Sequence, residues 1–388
     1  MRVVLAAAAL LACGAALAQD FDACVKELRA EASANGIKAP FIDNALNNLQ
    51  PDPTVIERME SQPEFETPVW EYLAKLVDEQ RIADGREMLE RWRIALANAQ
   101  RRYGVDRHVI VAVWGVESNY GKRLGRRSLV RSLATLSCNG ARQKYFRGEL
   151  VAALQILQAG DVKPEEMVGS WAGAFGHGQF MPSTFRRLAV DMDGDGRRDI
   201  VGSIPDALGS IGNYLKGVGW VNAEPWGYEV TVPKGYSGPS GRQNRRDLAD
   251  WKQLGIRRVG NKPLTGPDRA ALLLPAGTRG PAFLVFANYN AIHAYNNSES
   301  YALAIAHLSD RLQGGGPIVA AWPTDERMLT RAERVELQLW LTERGFYSGA
   351  ADGILGSRTV EAIKAFQVSA GMAADGYANS RVLSALRQ

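Results

Sequence analysis

The stretch VIVAVWGVESNYG, from Val109 to Gly121, restricts the fold more than any other part of this sequence. Ile110, Val113 and Trp114 share one helix face with Glu117, because side chains three, four and seven positions apart lie above one another on an α-helix. This face is almost wholly apolar and should point into the protein. The sequence therefore predicts a helical domain that buries this helix together with one carboxyl group.

Length and composition allow such a core. The chain has 388 residues, of which 46% are hydrophobic and 23% charged, which is ordinary globular usage and enough for two domains or more. The formal net charge is only +4, and the arginines are scattered in pairs. No long basic block marks a nucleic-acid groove, so we expect no nucleic-acid partner.

Helical periodicity dominates the chain, and one region departs from it. Between about 224 and 290, short β-rich runs separated by Gly, Pro and Asn replace the helical pattern, which returns before residue 312. We predict a mainly α domain at 19–312 that contains a small β-containing insertion.

A Gly- and Pro-rich linker is predicted at 313–326, followed by a small three-helix C-terminal domain at 327–388. Its turns fall at Tyr347-Ser-Gly, Asp352-Gly353 and Asp375-Gly376. Its periodic apolar positions, which we expect in its core, include Leu337, Leu341, Ala362 and Phe366.

The first 18 residues have the features of a signal peptide. Arg2 precedes a short apolar run that ends in Ala16-Leu17-Ala18, the A-x-A pattern of a cleavage site. This predicts export to the periplasm. The alternative is an outer-membrane lipoprotein, since LLAC around Cys13 resembles a lipobox, or a retained anchor helix.

Either form of processing takes Cys13 out of disulfide pairing. Cys24 and Cys138 then remain in an oxidising compartment, and one disulfide between them is the simple interpretation. Two unrelated buried thiols are the alternative, because the sequence gives no distance between them.

Glu117 is the strongest candidate for chemistry. Asn119 and Gly121 are residues that end helices, so Glu117 lies in the last turn. Burial and the negative end of the helix dipole both raise the pKa of a carboxyl group there, and a general acid needs such a pKa. The alternatives are an exposed Glu or one paired with an arginine. A catalytic zinc site has no support, since the chain has four histidines and neither HExxH nor CxxC.

Two further stretches carry polar side chains in patterns typical of sites. GSWAGAFGHGQFMPSTF, at 169–185, surrounds Gln179 with glycines and aromatics that suit a sugar ligand, although a packing loop has the same composition. DMDGDGRRD begins like an EF-hand loop, with ligands expected from Asp191, Asp193, Asp195 and the carbonyl of Arg197. Position twelve is Gly202, so Asp206 would supply the last carboxylate; an Asx-turn without metal is the alternative. We expect no cofactor for catalysis and a structural Ca²⁺ or Na⁺ in the loop 191–206.

These motifs in this order resemble the bacterial lytic murein transglycosylases of the membrane-bound B type. The resemblance rests on VWGVESNYG, LATLSCN, GSWAGAFGHGQFMPSTF, DMDGDGRRD and AYNNSESYALAIAHL, and it covers roughly residues 21–312. The C-terminal segment resembles the peptidoglycan-binding domain of cell-wall enzymes. The resemblance implies a lysozyme-like helical fold and cleavage of the MurNAc–GlcNAc β-1,4 bond of peptidoglycan with formation of 1,6-anhydro-MurNAc ends.

The resemblance also implies site residues. Glu117 matches the sole acid and base of the family, and Ser170 and Gln179 match positions near the cleaved sugar. The remaining matches are a Tyr-Asn pair, a following tyrosine and two looser cleft residues: Tyr295, Asn296, Tyr301, Tyr214 and Arg142. His177 stands where relatives often carry Tyr, and the loop before Arg142 is shorter.

Two other functions fit parts of the sequence. A lysozyme-like muramidase would use the same fold with a second carboxylate or a held water. A non-catalytic peptidoglycan-binding protein would need only the C-terminal domain. For every alternative the expected partner is the peptidoglycan glycan strand, the expected state is a monomer, and lipidation of Cys13 would add attachment to the outer membrane.

Overall fold

A computed structural model describes residues 20–60, 67–139 and 141–388. The predicted signal peptide and Cys13 lie outside these ranges. Within them, none of the helices is both long and apolar enough to pass through a membrane.

The fold is mostly helical, as predicted, with two small antiparallel sheets. The helices are α1 (20–34), α2 (Ala39–Leu46), α3 (Pro53–Glu60), α4 (Val69–Leu76), α5 (Glu79–Arg91), α6 (Arg93–Tyr103), α7 (Arg107–Ser118), α8 (Leu129–Asn139), α9 (Gln143–Ala159), α10 (Pro182–Leu188), α11 (Ile204–Gly217), α12 (Leu248–Gln253), α13 (Ala287–His293), α14 (Glu299–Leu312), α15 (Arg331–Glu343), α16 (Ser357–Ser369) and α17 (Ser380–Leu386). The strands are β1 (Arg127–Ser128), β2 (Val168–Gly169), β3 (Gly227–Thr231), β4 (Arg245–Asp247), β5 (Arg257–Arg258), β6 (Arg269–Leu273), β7 (Pro275–Thr278) and β8 (Ala282–Val285).

The chain forms two compact units. The first contains the described residues up to position 62 together with 87–103 and 113–214. The second contains those of 63–86 together with 104–112 and 215–388.

In the first unit, α8 and α9 pack against each other, and β1 pairs with β2. The disulfide expected from the sequence is present: Cys24 in α1 is bonded to Cys138 in α8, with 5.9 Å between the two Cα atoms. The bond closes a loop of 114 residues. Loop-closure entropy alone makes such a crosslink worth about 5 kcal/mol of stability.

The central turns of α7 are buried on every side, which the sequence did not indicate. The face formed by Ile110, Val113 and Trp114 is in the core, as predicted. However, all residues from Val109 to Trp114 are at most 3% exposed, so the remaining faces are covered too. This part of the helix has no solvated face and therefore few ways to shift, whereas Val116 and Glu117 in the last turn are half-buried.

In the second unit, a five-stranded antiparallel sheet has the order β4-β6-β8-β3-β5 and lies within the predicted β-containing region. Trp251 of α12 is fully buried against this sheet and donates a hydrogen bond from Nε1 to the Ala270 carbonyl. The predicted linker contacts the sheet as well. The amides of Val319 and Ala320 donate to the carboxylate of Glu229 on β3, at 2.8 and 2.7 Å.

The C-terminal helical domain consists of α15, α16 and α17. Its first helix begins at a capping box, in which the Thr330 hydroxyl accepts the Glu333 amide and the Glu333 carboxylate accepts the Thr330 amide. The four apolar positions predicted for its core are confirmed, since each is at most 4% exposed: Leu337, Leu341, Ala362 and Phe366.

Candidate active site

Glu117 lies in the last turn of α7, half-buried, at the place predicted from the sequence. The helix ends at Ser118, and Asn119, Tyr120 and Gly121 then follow with φ values of 50°, 56° and 84°. Three consecutive left-handed residues turn the chain sharply away from the helix axis. Such a backbone persists only where its surroundings hold it in place.

A buried histidine holds this turn. The indole Nε1 of Trp114 donates to Nδ1 of His177 at 2.8 Å, and the Ser118 hydroxyl donates to the His177 carbonyl at 2.8 Å. The His177 amide donates to the Ile200 carbonyl at 3.0 Å. His177 therefore joins the end of α7 to the segment around residue 200.

Burial lowers the pKa of His177 to about 4, although a hydrogen bond to the Val201 backbone and the charge of Asp199 oppose that change. The imidazole is neutral at neutral pH, so its Nδ1 can accept the proton of the Trp114 indole.

The loop that carries Ser170 and Gln179 is held by its own side chains. The Ser170 hydroxyl oxygen accepts the Ala174 amide at 3.0 Å. The Gln179 backbone is left-handed, with φ of 49°, and its side-chain amide donates to the carbonyls of Gly176 at 2.8 Å and Leu124 at 3.3 Å. The donors of Gln179 therefore stabilise the loop, which leaves its Oε1 as the atom with which it would accept a bond from a ligand.

Tyr214 lies near Glu117, and Arg142 lies at the start of another helix. Burial raises the pKa of the Tyr214 phenol; the charge of Arg187 opposes this rise and the carboxylate of Glu117 adds to it. Arg142 precedes α9, where its guanidinium stacks 4.9 Å from the ring centroid of Tyr145.

The Tyr-Asn pair is in the second unit. Tyr295 stacks on Tyr301 with ring centroids 6.3 Å apart, and Tyr301 is 2% exposed. Asn296 is exposed next to them. The roles of these three residues stay predictions.

The acidic loop brings three of its predicted ligands together. Carboxylate oxygens of Asp191, Asp193 and Asp206 lie within 4.8 Å of one another. Asp206 is fully buried, and its oxygens accept the amides of Met192, Asp193 and Asp199. Asp195 is not one of the three grouped carboxylates, and its Oδ1 accepts the Arg197 amide at 2.8 Å. Hard carboxylate oxygens in this arrangement suit Ca²⁺.

Sequence reasoning missed the contacts of Trp114 and Ser118 with His177. Trp114 and Ser118 belong to the motif at 109–121, and His177 belongs to the motif at 169–185. Each motif contains a polar group next to an apolar run, which was the only sequence signal of these contacts. Which groups would meet depended on how residues about sixty positions apart approach each other.

Comparison with known proteins identifies the family. Residues 20–310 match the transglycosylase SLT domain and residues 330–386 match the peptidoglycan binding domain. The chain therefore belongs to the transglycosylase SLT family, a family of peptidoglycan-cleaving enzymes with a lysozyme-like fold, and carries a C-terminal peptidoglycan-binding domain.

Three relatives illustrate the similarity. Membrane-bound lytic murein transglycosylase B of Escherichia coli is 34% identical over 242 residues, which span 61% of this chain and 65% of that protein. SltB3 from Pseudomonas aeruginosa, in complex with NAG-anhNAM-pentapeptide, has a TM-score of 0.92 at 46% identity, covering 95% of this chain and 99% of that one. E. coli Slt35 in complex with calcium has a TM-score of 0.67 at 28% identity, covering 75% and 92%.

The neutral state of His177 leads to a pH prediction. Between about pH 6.5 and 4 the unfolded chain takes up a proton at this position and the folded chain does not, so stability falls as the pH is lowered. The full difference is about 3 kcal/mol. The melting temperature of His177→Asn should therefore change less between pH 7 and 4.5 than that of the wild type. Burial also lowers the pKa of His307 to about 4. His307 should therefore account for a similar share of the pH dependence that remains in His177→Asn. An unaltered pH dependence in His177→Asn would contradict the assignment.

Proposed function

We propose that this protein is a lytic transglycosylase that cleaves the MurNAc–GlcNAc β-1,4 bond of peptidoglycan and forms 1,6-anhydro-MurNAc ends. The observation that carries the proposal is the position of Glu117. It is one half-buried carboxyl group in the last turn of a helix whose central turns are buried. The turn beside it is held by hydrogen bonds to His177.

In the proposed reaction Glu117 is first the acid and then the base. Protonated Glu117 donates to the glycosidic oxygen, and the bond from that oxygen to the MurNAc anomeric carbon breaks. The positive charge on that carbon is relieved by the N-acetyl group of the same sugar or held as an oxocarbenium ion. The Glu117 carboxylate then takes the proton of the C6 hydroxyl, whose oxygen bonds to the anomeric carbon. The proton returns to Glu117 and no water is consumed.

The other residues would orient these groups. The Ser170 oxygen already accepts the Ala174 amide, and its own proton is available to a carbonyl such as that of the acetamido group. The phenol of Tyr214, close enough for its pKa to respond to Glu117, would hold the carboxyl group in place. By resemblance, Tyr295 and Asn296 would orient the acetamido group, and Tyr301 would support Tyr295 by stacking.

The mass of the products tests this reaction. Digestion of sacculi should release muropeptides whose sugar ends are lighter by one water than reducing ends, because the C6 hydroxyl replaces water as the nucleophile. Mass spectrometry of the soluble fraction measures this directly. Reducing ends would instead identify a muramidase, and no release at all would leave a binding protein.

We also propose that Asp191, Asp193 and Asp206 hold a structural Ca²⁺, with the Arg197 carbonyl as a further ligand. The structure of the relative Slt35 in complex with calcium supports this proposal. The ion would fix the loop and takes no part in the reaction.

The melting temperature tests the calcium proposal. Added CaCl₂ should raise it for the wild type, because an ion that binds only the folded chain stabilises that chain. The rise should disappear in Asp193→Asn and persist in Asp195→Asn, because Asp195 is not among the three grouped carboxylates. An equal response of all three proteins to CaCl₂ would count against the site.

Export to the periplasm completes the proposal. It rests on the A-x-A pattern at Ala16-Leu17-Ala18 and on the disulfide, which persists in an oxidising compartment. Analysis of the mature N-terminus distinguishes cleavage after Ala18 from a lipoprotein that begins at Cys13.

A further inference from the structure

The C-terminal domain contains an internal repeat. AADGILGSRTVEAI, at 350–363, and AADGYANSRVLSAL, at 373–386, share an Asp-Gly turn that is followed by a helix. The offset is 23 residues, and each helix begins five residues after its aspartate, at Ser357 in α16 and at Ser380 in α17.

The first turn is held by a buried glutamine of the preceding helix. Gln338 is inaccessible to solvent; its Nε2 donates to Asp352 Oδ1 at 3.2 Å, and its Oε1 accepts the Gly353 amide at 2.7 Å. The same Asp352 oxygen accepts the Ile354 amide at 2.8 Å. Gly353 has a φ of 76°, a conformation that favours glycine.

The second turn repeats every one of these contacts. Gln367, 2% exposed, donates from Nε2 to Asp375 Oδ1 at 2.8 Å and accepts the Gly376 amide at 2.8 Å. Asp375 Oδ1 accepts the Tyr377 amide at 3.0 Å, and Gly376 has a φ of 74°. In both turns one carboxylate oxygen is used to build the turn.

In the second turn, the other oxygen holds a segment of the chain. Asp375 Oδ2 accepts both the amide and the hydroxyl of Thr278 on β7, at 3.1 and 3.3 Å. The preceding Gly277 fits closely, because a Cβ there would lie 2.6 Å from Asp375 Oδ2 and 3.1 Å from Tyr377 Cβ. The turn therefore binds a peptide segment in which a glycine with a φ of 67° precedes a residue that supplies a pair of donors.

The first turn presents the same groups to solvent. Asp352 is exposed, whereas Asp375 is half-buried against its segment. Ile354 occupies the position of Tyr377 and is 67% exposed. An exposed apolar residue beside an exposed acceptor is the combination that the second turn uses for binding.

We infer that the turn Asp352-Gly353-Ile354 is a binding site for a short extended peptide with small side chains, the stem peptide of peptidoglycan. This identification of the ligand rests on the proposed function. The Asp352 carboxylate would accept backbone amides of the stem, and Ile354 would pack against its small side chains. Affinity at one site should be weak, about millimolar, but a polymer that presents many stems gains from repeated engagement.

The test titrates the full-length protein with the free pentapeptide stem, observed through the backbone amide signals of Gly353 and Ile354 by NMR. Asp352→Asn keeps the Oδ1 acceptor that builds the turn and replaces the second oxygen by a donor. This variant and Ile354→Ser should weaken binding at least five-fold. Two matched controls should bind as the wild type does: Val368→Ser, which removes a side chain that is 68% exposed, and Glu343→Gln, which removes one negative charge from the same domain.

Unchanged affinity in Asp352→Asn and Ile354→Ser, or no peptide-induced shift at Gly353 and Ile354, would overturn the inference. The NAG-NAM disaccharide without peptide should cause no shift there, and a shift would identify a glycan site instead. The free stem contains no glycosidic bond, so its binding is measured without any cleavage. Peptide binding and bond cleavage are thus measured separately, and either can fail without the other.

Discussion

Glu117→Gln should lose transglycosylase activity almost completely, with kcat on sacculi lower by a factor of roughly 10⁴ or more. One general acid or base contributes about 10²- to 10⁴-fold, and the proposed reaction uses Glu117 in both roles. A glutamine amide neither donates a proton to the leaving oxygen nor accepts one from the C6 hydroxyl. Binding should persist, because the rest of the turn, including Ser118 and its hydrogen bond to His177, is unaltered.

The measurement compares released anhydro-muropeptides with the melting temperature. Glu117→Gln should melt at or slightly above the wild-type temperature, since it removes a carboxyl group held at the end of a buried helix. Glu149 offers a matched control in the same unit: it is 3% exposed, and its oxygens accept the amide and the hydroxyl of Ser183. Glu149→Gln should lower the melting temperature and leave kcat close to normal. Near-normal turnover in Glu117→Gln would refute the single-glutamate reaction.

The pH dependence of kcat carries a second part of the same argument. Glu117 must be protonated when it donates to the glycosidic oxygen, so kcat should fall as the pH rises and this acid loses its proton. The fall should reflect Glu117 rather than His177, whose pKa of about 4 keeps it neutral through this range. A kcat that does not fall at alkaline pH would contradict Glu117 as the general acid.

Local sequence patterns predicted the helices and their ends well. The residues after Glu117 ended α7 where the sequence placed the stop, because Asn and Gly adopt left-handed φ values at low cost. The apolar spacing of α15 and α16 located the C-terminal core. The EF-hand pattern located Asp191 and Asp193, and counting onward located Asp206. Each of these predictions needed only residues within about fifteen positions.

Contacts between distant segments were beyond that kind of reasoning. Gln179 matched a sugar-binding position, but its amide donors are used by the carbonyls of Gly176 and Leu124. His177 appeared only as a departure from relatives, yet it accepts the indole of Trp114. The repeat of the Asp-Gly turns was visible as letters, but its meaning required seeing that one copy binds Thr278. Periodicity reports which face is buried and not which polar groups meet there.

The contact between His177 and Gly121 shows both what a local sequence pattern predicts and what it misses. Gly121 was predicted only as a helix stop, for which Asn would serve as well. In the structure, two features require glycine at this position. One is its φ of 84°, and the other is the lack of space for a Cβ atom. An ideal Cβ on Gly121 would lie 2.2 Å from Cε1 and 2.6 Å from Nδ1 of His177. The imidazole cannot move aside easily, because Trp114 and the Val201 backbone hold it.

Gly121→Ala should therefore be among the most damaging single-methyl additions in the first unit. A left-handed alanine costs about 1 kcal/mol, and overpacking against a fixed ring adds about 1–3 kcal/mol. Gly160→Ala separates the two costs: Gly160 has a φ of 76° and nothing lies within 4 Å of its Cβ position. The control should lose only the first amount. Because Ser118 and Glu117 adjoin the displaced turn, kcat of Gly121→Ala should fall as well.

A double-mutant cycle with His177→Ala completes the test of Gly121→Ala. Removal of the ring opens the space that the new methyl group needs, so the double variant should be more stable than the sum of the two single losses by about 1–2 kcal/mol. Melting temperatures of the four proteins give this coupling, since each kcal/mol shifts Tm by about 2–4 °C in domains of 150–250 residues. Strict additivity would mean that the methyl group is accommodated elsewhere. In that case the ring of His177 does not hold the turn that follows Glu117.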